Sequence, residues 1–196
     1  MKNLNKRVIQ RICVLVGGCL VVSGIMVLIY WQWNIHSSIQ KTESYVQTLN
    51  ALIPNPQGAV LEERRDETMS ILAVDGIDFV GILEMPRYGS VQPVCASWGH
   101  VNKYPCQFSG SVYNGTMQIG VTSQRGQYDF YREISVGDTV FFTDMEGNRY
   151  TYEVTNLRYE KNVDQTTLER EDSVLTLFVK NVYDFDYLIV FCNVVH

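Results

Sequence analysis

The sequence predicts an all-β barrel carried on a membrane-spanning helix, and three observations support that expectation. Twenty residues from Ile12 to Trp31 contain no charge. From about Ala73 onward, short apolar and β-branched runs alternate with turn signals instead of repeating at helical spacing. About seven or eight such runs fall within roughly 120 residues, which fits one closed or nearly closed barrel.

Residues 1–33 read as a basic tail and an anchor. At about 1.5 Å of rise per residue, Ile12–Trp31 spans a hydrocarbon layer of roughly 30 Å. A cleavable signal peptide has a shorter apolar stretch and a small-residue cleavage site. Here the run leaves through Tyr30, Trp31 and Trp33, aromatic residues suited to the membrane interface. Lys2, Lys6, Arg7 and Arg11 precede the helix, and no acidic residue occurs before Glu43. The positive-inside rule therefore places the N-terminus in the cytoplasm and the remainder outside the cell.

Residues 34–72 are expected to form a helical stalk and linker. Ile35, Ile39, Tyr45, Val46 and Leu49 make an apolar stripe on a polar segment. IPNPQG (53–58) interrupts it, because proline lacks the donor a helix needs. A second polar helix, AVLEERRDETMSIL, is expected over 59–72. Residues 73–196 form the predicted barrel. Its strands are DFVGILEMP, VQPVC, a pair around Asn114-Gly115 in SGSVYNGTMQIGV, the hairpin DTVFFTDMEGNRYTYEVTNLRY, then VLTLFVK and YLIVFCNVV.

Charge and cysteine content narrow the function classes. Without the four basic residues of the first 33, the chain carries 12 Lys and Arg against 21 Asp and Glu, a net charge of −9. Phosphate backbones repel such a surface, so nucleic acid is not an expected partner. His36, His100 and His196 lack metal-ligand spacing and there is no Cys-x-x-Cys, so neither a metal nor a cofactor is expected. Cys95, Cys106 and Cys192 lie outside the anchor, allow at most one intramolecular bridge, and leave one thiol over. Trp98, His100 and Tyr104 form an aromatic group in ASWGHVNKYP, more readily a loop packed on the barrel than a ligand site.

The order VGILEMP, PCQFSGSVYNGTMQIG, VGDTVFFTDMEGNRYTYEV, LTLFV and YLIVFCNVV resembles that of the sortases, the Gram-positive surface transpeptidases, from about Asp78 to Val195. The resemblance implies an eight-stranded β-barrel holding a histidine, a cysteine and an arginine. In that chemistry a thiolate attacks the amide after the threonine of a sorting signal, and an amine resolves the acyl-enzyme. It also implies that VDQTTLERED (163–172) borders the substrate groove, and that Cys106 and Cys192 occupy places where cysteine occurs in relatives. A bridge or a pair of buried thiols is expected there, with Cys95 as the competing partner of Cys106.

The positions that match the family's catalytic residues do not carry them. Thr122 stands where the histidine closes its strand, Lys180 where LTLFVK would end in cysteine, and Tyr187 where the arginine opens the last strand. Lysine cannot act as a thiolate, so no catalytic residue of the sortase type is expected. The resemblance implies a pseudo-sortase that binds a cell-surface polypeptide or another sortase. The alternative is a hydrolase or transpeptidase in which Thr122 or Ser123 works with Lys180 as base. It requires a desolvated lysine, whereas Asp184 or Asp186 would hold the ammonium charged.

Overall fold

The computed structural model describes residues 2–59, 68–123, 133–169, 173–181 and 186–195. The chain forms two compact units, Met1–Ser38 and Ile39–His196. Helix α1 (Lys2–Leu52) begins in the first. It contains one stretch long and apolar enough to cross a membrane, with a mean hydropathy of 2.8, and residues 11–34 are exposed along it.

In the second unit the last turns of α1 pack rather than stand free. Leu49 is fully buried, and the Tyr45 ring lies 5.4 Å from Phe79 and 5.8 Å from Tyr104, the latter edge-on. The helix ends where Pro54 removes a donor and restricts Ile53. Beyond it, β1 (Gln57–Gly58) runs parallel to β8 (Asn148–Glu160). Part of the expected 34–72 linker is thus built onto the barrel, because apolar residues of the stripe have a partner surface. The expected helix over 59–72 is not formed where it can be seen: Leu72 opens strand β2 (Leu72–Val74), paired with Phe79. Residues 60–67 of it lie outside the described residues.

The remaining strands are β3 (Ile77–Met85), β4 (Ser90–Cys95), β5 (Cys106–Ser109), β6 (Met117–Thr122), β7 (Thr139–Asp144), β9 (Leu175–Lys180) and β10 (Tyr187–Val194). Ten strands belong to one sheet, and eight of them close a barrel in the circuit β3-β4-β5-β6-β9-β10-β8-β7, with β7 pairing back to β3. Closure leaves β1 and β2 as short additions and removes most exposed edges. The expected turn at Asn114-Gly115 differs in kind. Val112–Asn114 is a 3-10 turn capped by the Ser111 hydroxyl, and Gly115 leaves it at φ 64°, a left-handed conformation that favours glycine. The DMEGN turn is held by Asp144, whose carboxylate accepts from the Glu146 and Asn148 amides at 2.9 Å each.

The barrel lumen is filled. Met117, Ile119 and Val121 of β6, Leu175, Leu177 and Val179 of β9, and Leu188, Val190 and Cys192 of β10 alternate inward. The intervening residues of β9 and β10 are also covered: Phe178, Ile189 and Phe191 form an outer cluster with Leu168 of the short helix α2 (Gln165–Leu168). Burial on both faces is why the VLTLFV run lacks the alternation of a half-exposed strand.

Candidate functional site

Strand register brings the three singled-out positions into one row. β6 and β9 are parallel with Thr122 opposite Lys180, and β10 is antiparallel to β9 with Tyr187 opposite Lys180. Adjacent strands lie about 4.8 Å apart, so these residues stand side by side on the outer barrel face. Beneath them lies the row Gly120, Phe178 and Ile189, and beneath that Gln118, Thr176 and Phe191.

Two connections flank this face. Between β4 and β5, Trp98 opens a short 3-10 turn capped by the Ser97 hydroxyl and stacks on Phe178 at 5.8 Å, with Phe108 edge-on to both rings. A Cβ on Gly120 would lie 2.5 Å from atoms of both Trp98 and Phe178, so the bare backbone is what lets the indole settle there. On the other side, Asp164 caps α2 through the Thr167 amide at 2.8 Å, and Leu168 is buried against the floor. The Thr176 hydroxyl donates to the Leu168 carbonyl at 3.2 Å, and Arg158 donates to the Thr167 carbonyl while lying over Phe191. An open pocket of about 310 Å³ remains beside α2, lined by residues such as Gln118, Leu168, Ser173 and Thr176.

The chemistry of the top row follows from the partners its side chains choose. The Lys180 ammonium lies 5.8 Å from the centre of the Tyr187 ring, a cation–π arrangement, and not against Asp186. Asp184 lies outside the described residues. The Thr122 hydroxyl instead donates to the Asn102 side-chain oxygen at 3.5 Å, and its amide reaches the Val101 carbonyl. Ser123 is buried and its amide donates to the Lys180 carbonyl at 2.8 Å. Neither hydroxyl is hydrogen-bonded to the Lys180 ammonium, so the contact that a hydroxyl–lysine dyad requires is not made.

Among the described residues of the second unit, no cysteine side chain reaches this face. Cys192 points into the lumen, where burial pushes its thiol up. Cys95 and Cys106 sit in a separate buried cluster with Leu49 at the end of α1, Phe79 and Tyr104. The neighbouring Cys106 thiol and burial together push the Cys95 thiol up. The Trp98, His100 and Tyr104 group does not form one patch: Trp98 lies on the outer face, while Tyr104 is buried with Tyr45 and Phe79, where burial pushes its phenol up to about 12. Asn102 and Gly120, which shape the site, carry no signal of their own in the sequence.

Solved structures of similar shape are sortases. Sortase C1 from Streptococcus agalactiae superposes with a TM-score of 0.53 and 19% identity, covering 68% of this chain and 80% of that one. The barrel has the sortase fold. A sortase D5 transpeptidase from Clostridium perfringens matches with a TM-score of 0.53 and 14% identity over 81% of this chain and 98% of that one. A sortase C from the same organism, described with the C-terminal cell wall sorting motif, gives 0.51 and 16% over 61% and 71%. No protein-family model and no curated protein sequence matches this chain.

Proposed function

We propose that this chain is a membrane-anchored, sortase-fold pseudoenzyme of the cell surface that binds a polypeptide without cleaving it. The observation that carries the reading is the single row of Thr122, Lys180 and Tyr187, the positions that the resemblance pairs with histidine, cysteine and arginine. Cysteine transpeptidation needs a thiolate, a group that shares its proton, and a cation beside the developing oxyanion. An ammonium at the nucleophile's place, flanked by a hydroxyl and a phenol, supplies none of these roles in position. The flanked outer face with its aromatic floor supports an extended polypeptide as the ligand class, as does the sorting motif described with the Clostridium perfringens sortase C. A partner sortase presenting such a segment belongs to the same class. The apolar stretch of α1, with Lys2, Lys6, Arg7 and Arg11 before it, supports an anchor whose N-terminus is cytoplasmic.

The test uses the full chain in detergent with a library of sorting-motif peptides. Binding without cleavage is expected. The triple variant Thr122→His, Lys180→Cys, Tyr187→Arg is expected to trap a peptide as a thioester, seen as a mass increase on the intact protein. Turnover by the parent chain that disappears in Lys180→Ala would instead establish an enzyme working through Thr122 or Ser123. Absence of binding across the whole library would leave the barrel a structural element and overturn the proposal.

A further inference from the structure

Cys95 and Cys106 end and begin the two strands that bracket the loop bearing Trp98, Val101 and Asn102. They are direct Cα partners in the parallel β4–β5 ladder, and the Cys95 amide donates to the neighbouring Pro105 carbonyl at 2.8 Å. Partners on adjacent strands lie about 4.8 Å apart, within the 4.4–6.8 Å that a disulfide spans. Register partners point to the same face of a sheet, and both side chains do lie in one cluster, each fully buried. Cys192 is excluded as a partner, because it occupies the other cluster, inside the barrel.

The geometry points to a disulfide between Cys95 and Cys106 that fastens the Trp98 loop beside Thr122 and Lys180. This inference is independent of the proposed binding role, since it rests on register and burial alone. Formation takes two exchange steps with a disulfide oxidant. One cysteine, as thiolate, attacks the oxidant and releases one of its sulfurs as a thiol; the second cysteine then attacks the mixed disulfide and releases the other. Two electrons pass to the oxidant, two protons leave the cysteines, and one Cys95–Cys106 S–S bond remains. Because both sulfurs are buried, exchange requires the loop to open or takes place as the barrel folds. Closing a ring of about twelve residues removes conformational freedom from the unfolded chain, and it pins the segment whose Val101 carbonyl and Asn102 side chain hold Thr122.

The full chain in detergent is equilibrated with oxidised and reduced glutathione in mild urea, denatured, alkylated and mapped by mass spectrometry. A linked Cys95–Cys106 peptide pair is expected, with Cys13, Cys19 and Cys192 alkylated. The oxidised chain should melt about 5–10 °C above the chain reduced with dithiothreitol. That difference should vanish in Cys95→Ala/Cys106→Ala. Alkylation of both residues in the oxidised sample, or a bridge from either to Cys192, would overturn the assignment. The mapping is made on the parent chain, so a variant that fails to fold does not rescue the inference.

Discussion

Gly120→Ala tests whether the indole of Trp98 is seated by the missing side chain beneath it. The new Cβ would fall 2.5 Å from atoms of Trp98 and Phe178, closer than nonbonded carbons approach. Phe178 is 4% exposed and has little room to withdraw, whereas Trp98 is 41% exposed and can swing into solvent. Releasing the indole re-exposes on the order of 100–150 Å², about 2.5–4 kcal/mol at about 25 cal/mol per Å². Retaining it in a crowded position costs about 1–3 kcal/mol. Either route lowers Tm by about 2–16 °C for a chain of this size. In a Trp31→Phe/Trp33→Phe background, Trp98 is the sole indole, so its emission should shift to the red and acrylamide quenching should increase. Gly81→Ala makes a stricter comparison. Its Cβ would meet the fully buried Phe142 ring and the Thr143 carbonyl oxygen at 2.6 Å, and backbone cannot swing away, so a larger loss of stability is expected without the Trp98 signal. Unchanged emission and quenching in Gly120→Ala, with Tm within about 1 °C of its parent, would refute the reasoning.

Arg149 grips Glu84 through two hydrogen bonds, at 2.7 and 3.0 Å, while its guanidinium lies 4.2 Å from the centre of the Phe141 ring. Arg149→Lys keeps the charge but loses the fork and the stack, and should cost about 1 kcal/mol in chemical denaturation; an unchanged midpoint would contradict this. Tyr152 is fully buried and its hydroxyl has no hydrogen-bond partner among the described residues. Tyr152→Phe should therefore leave stability unchanged or raise it by up to about 1 kcal/mol, and a clear loss in the same assay would show that the hydroxyl is satisfied. Burial pushes the Asp138 pKa up, but hydrogen bonds from Tyr88, Arg87 and the Ser135 amide outweigh it and leave the net value below the ordinary one. A depressed carboxyl contributes stability that is fully present above its unfolded value of about 3.9 and is lost as pH falls through its folded value. Melts between pH 7 and 2 should accordingly fall more steeply below about pH 4 for the parent than for Asp138→Asn; parallel curves would count against the linkage.

Features set by short-range pattern were legible from the sequence: the uncharged stretch of α1 and the strands β3, β4, β7, β8, β9 and β10. Each depends on residue type and local spacing, which the chain displays directly. Side-chain period and turn chemistry act within a few residues, so they survive without knowledge of the partners. Pattern alone did not separate a two-residue turn at Asn114-Gly115 from the 3-10 turn that forms there, because both use a glycine at positive φ.

Tertiary structure decided what touches what. Only register placed Thr122, Lys180 and Tyr187, which are as much as 65 positions apart in the chain, in one row. Only packing parted Trp98 from Tyr104, turned the Lys180 ammonium onto an aromatic ring, and set Cys95 against Cys106 instead of Cys192. These are long-range pairings chosen by closure of the barrel, and loop residues such as Asn102 acquire their partners only once the strands that carry them have met.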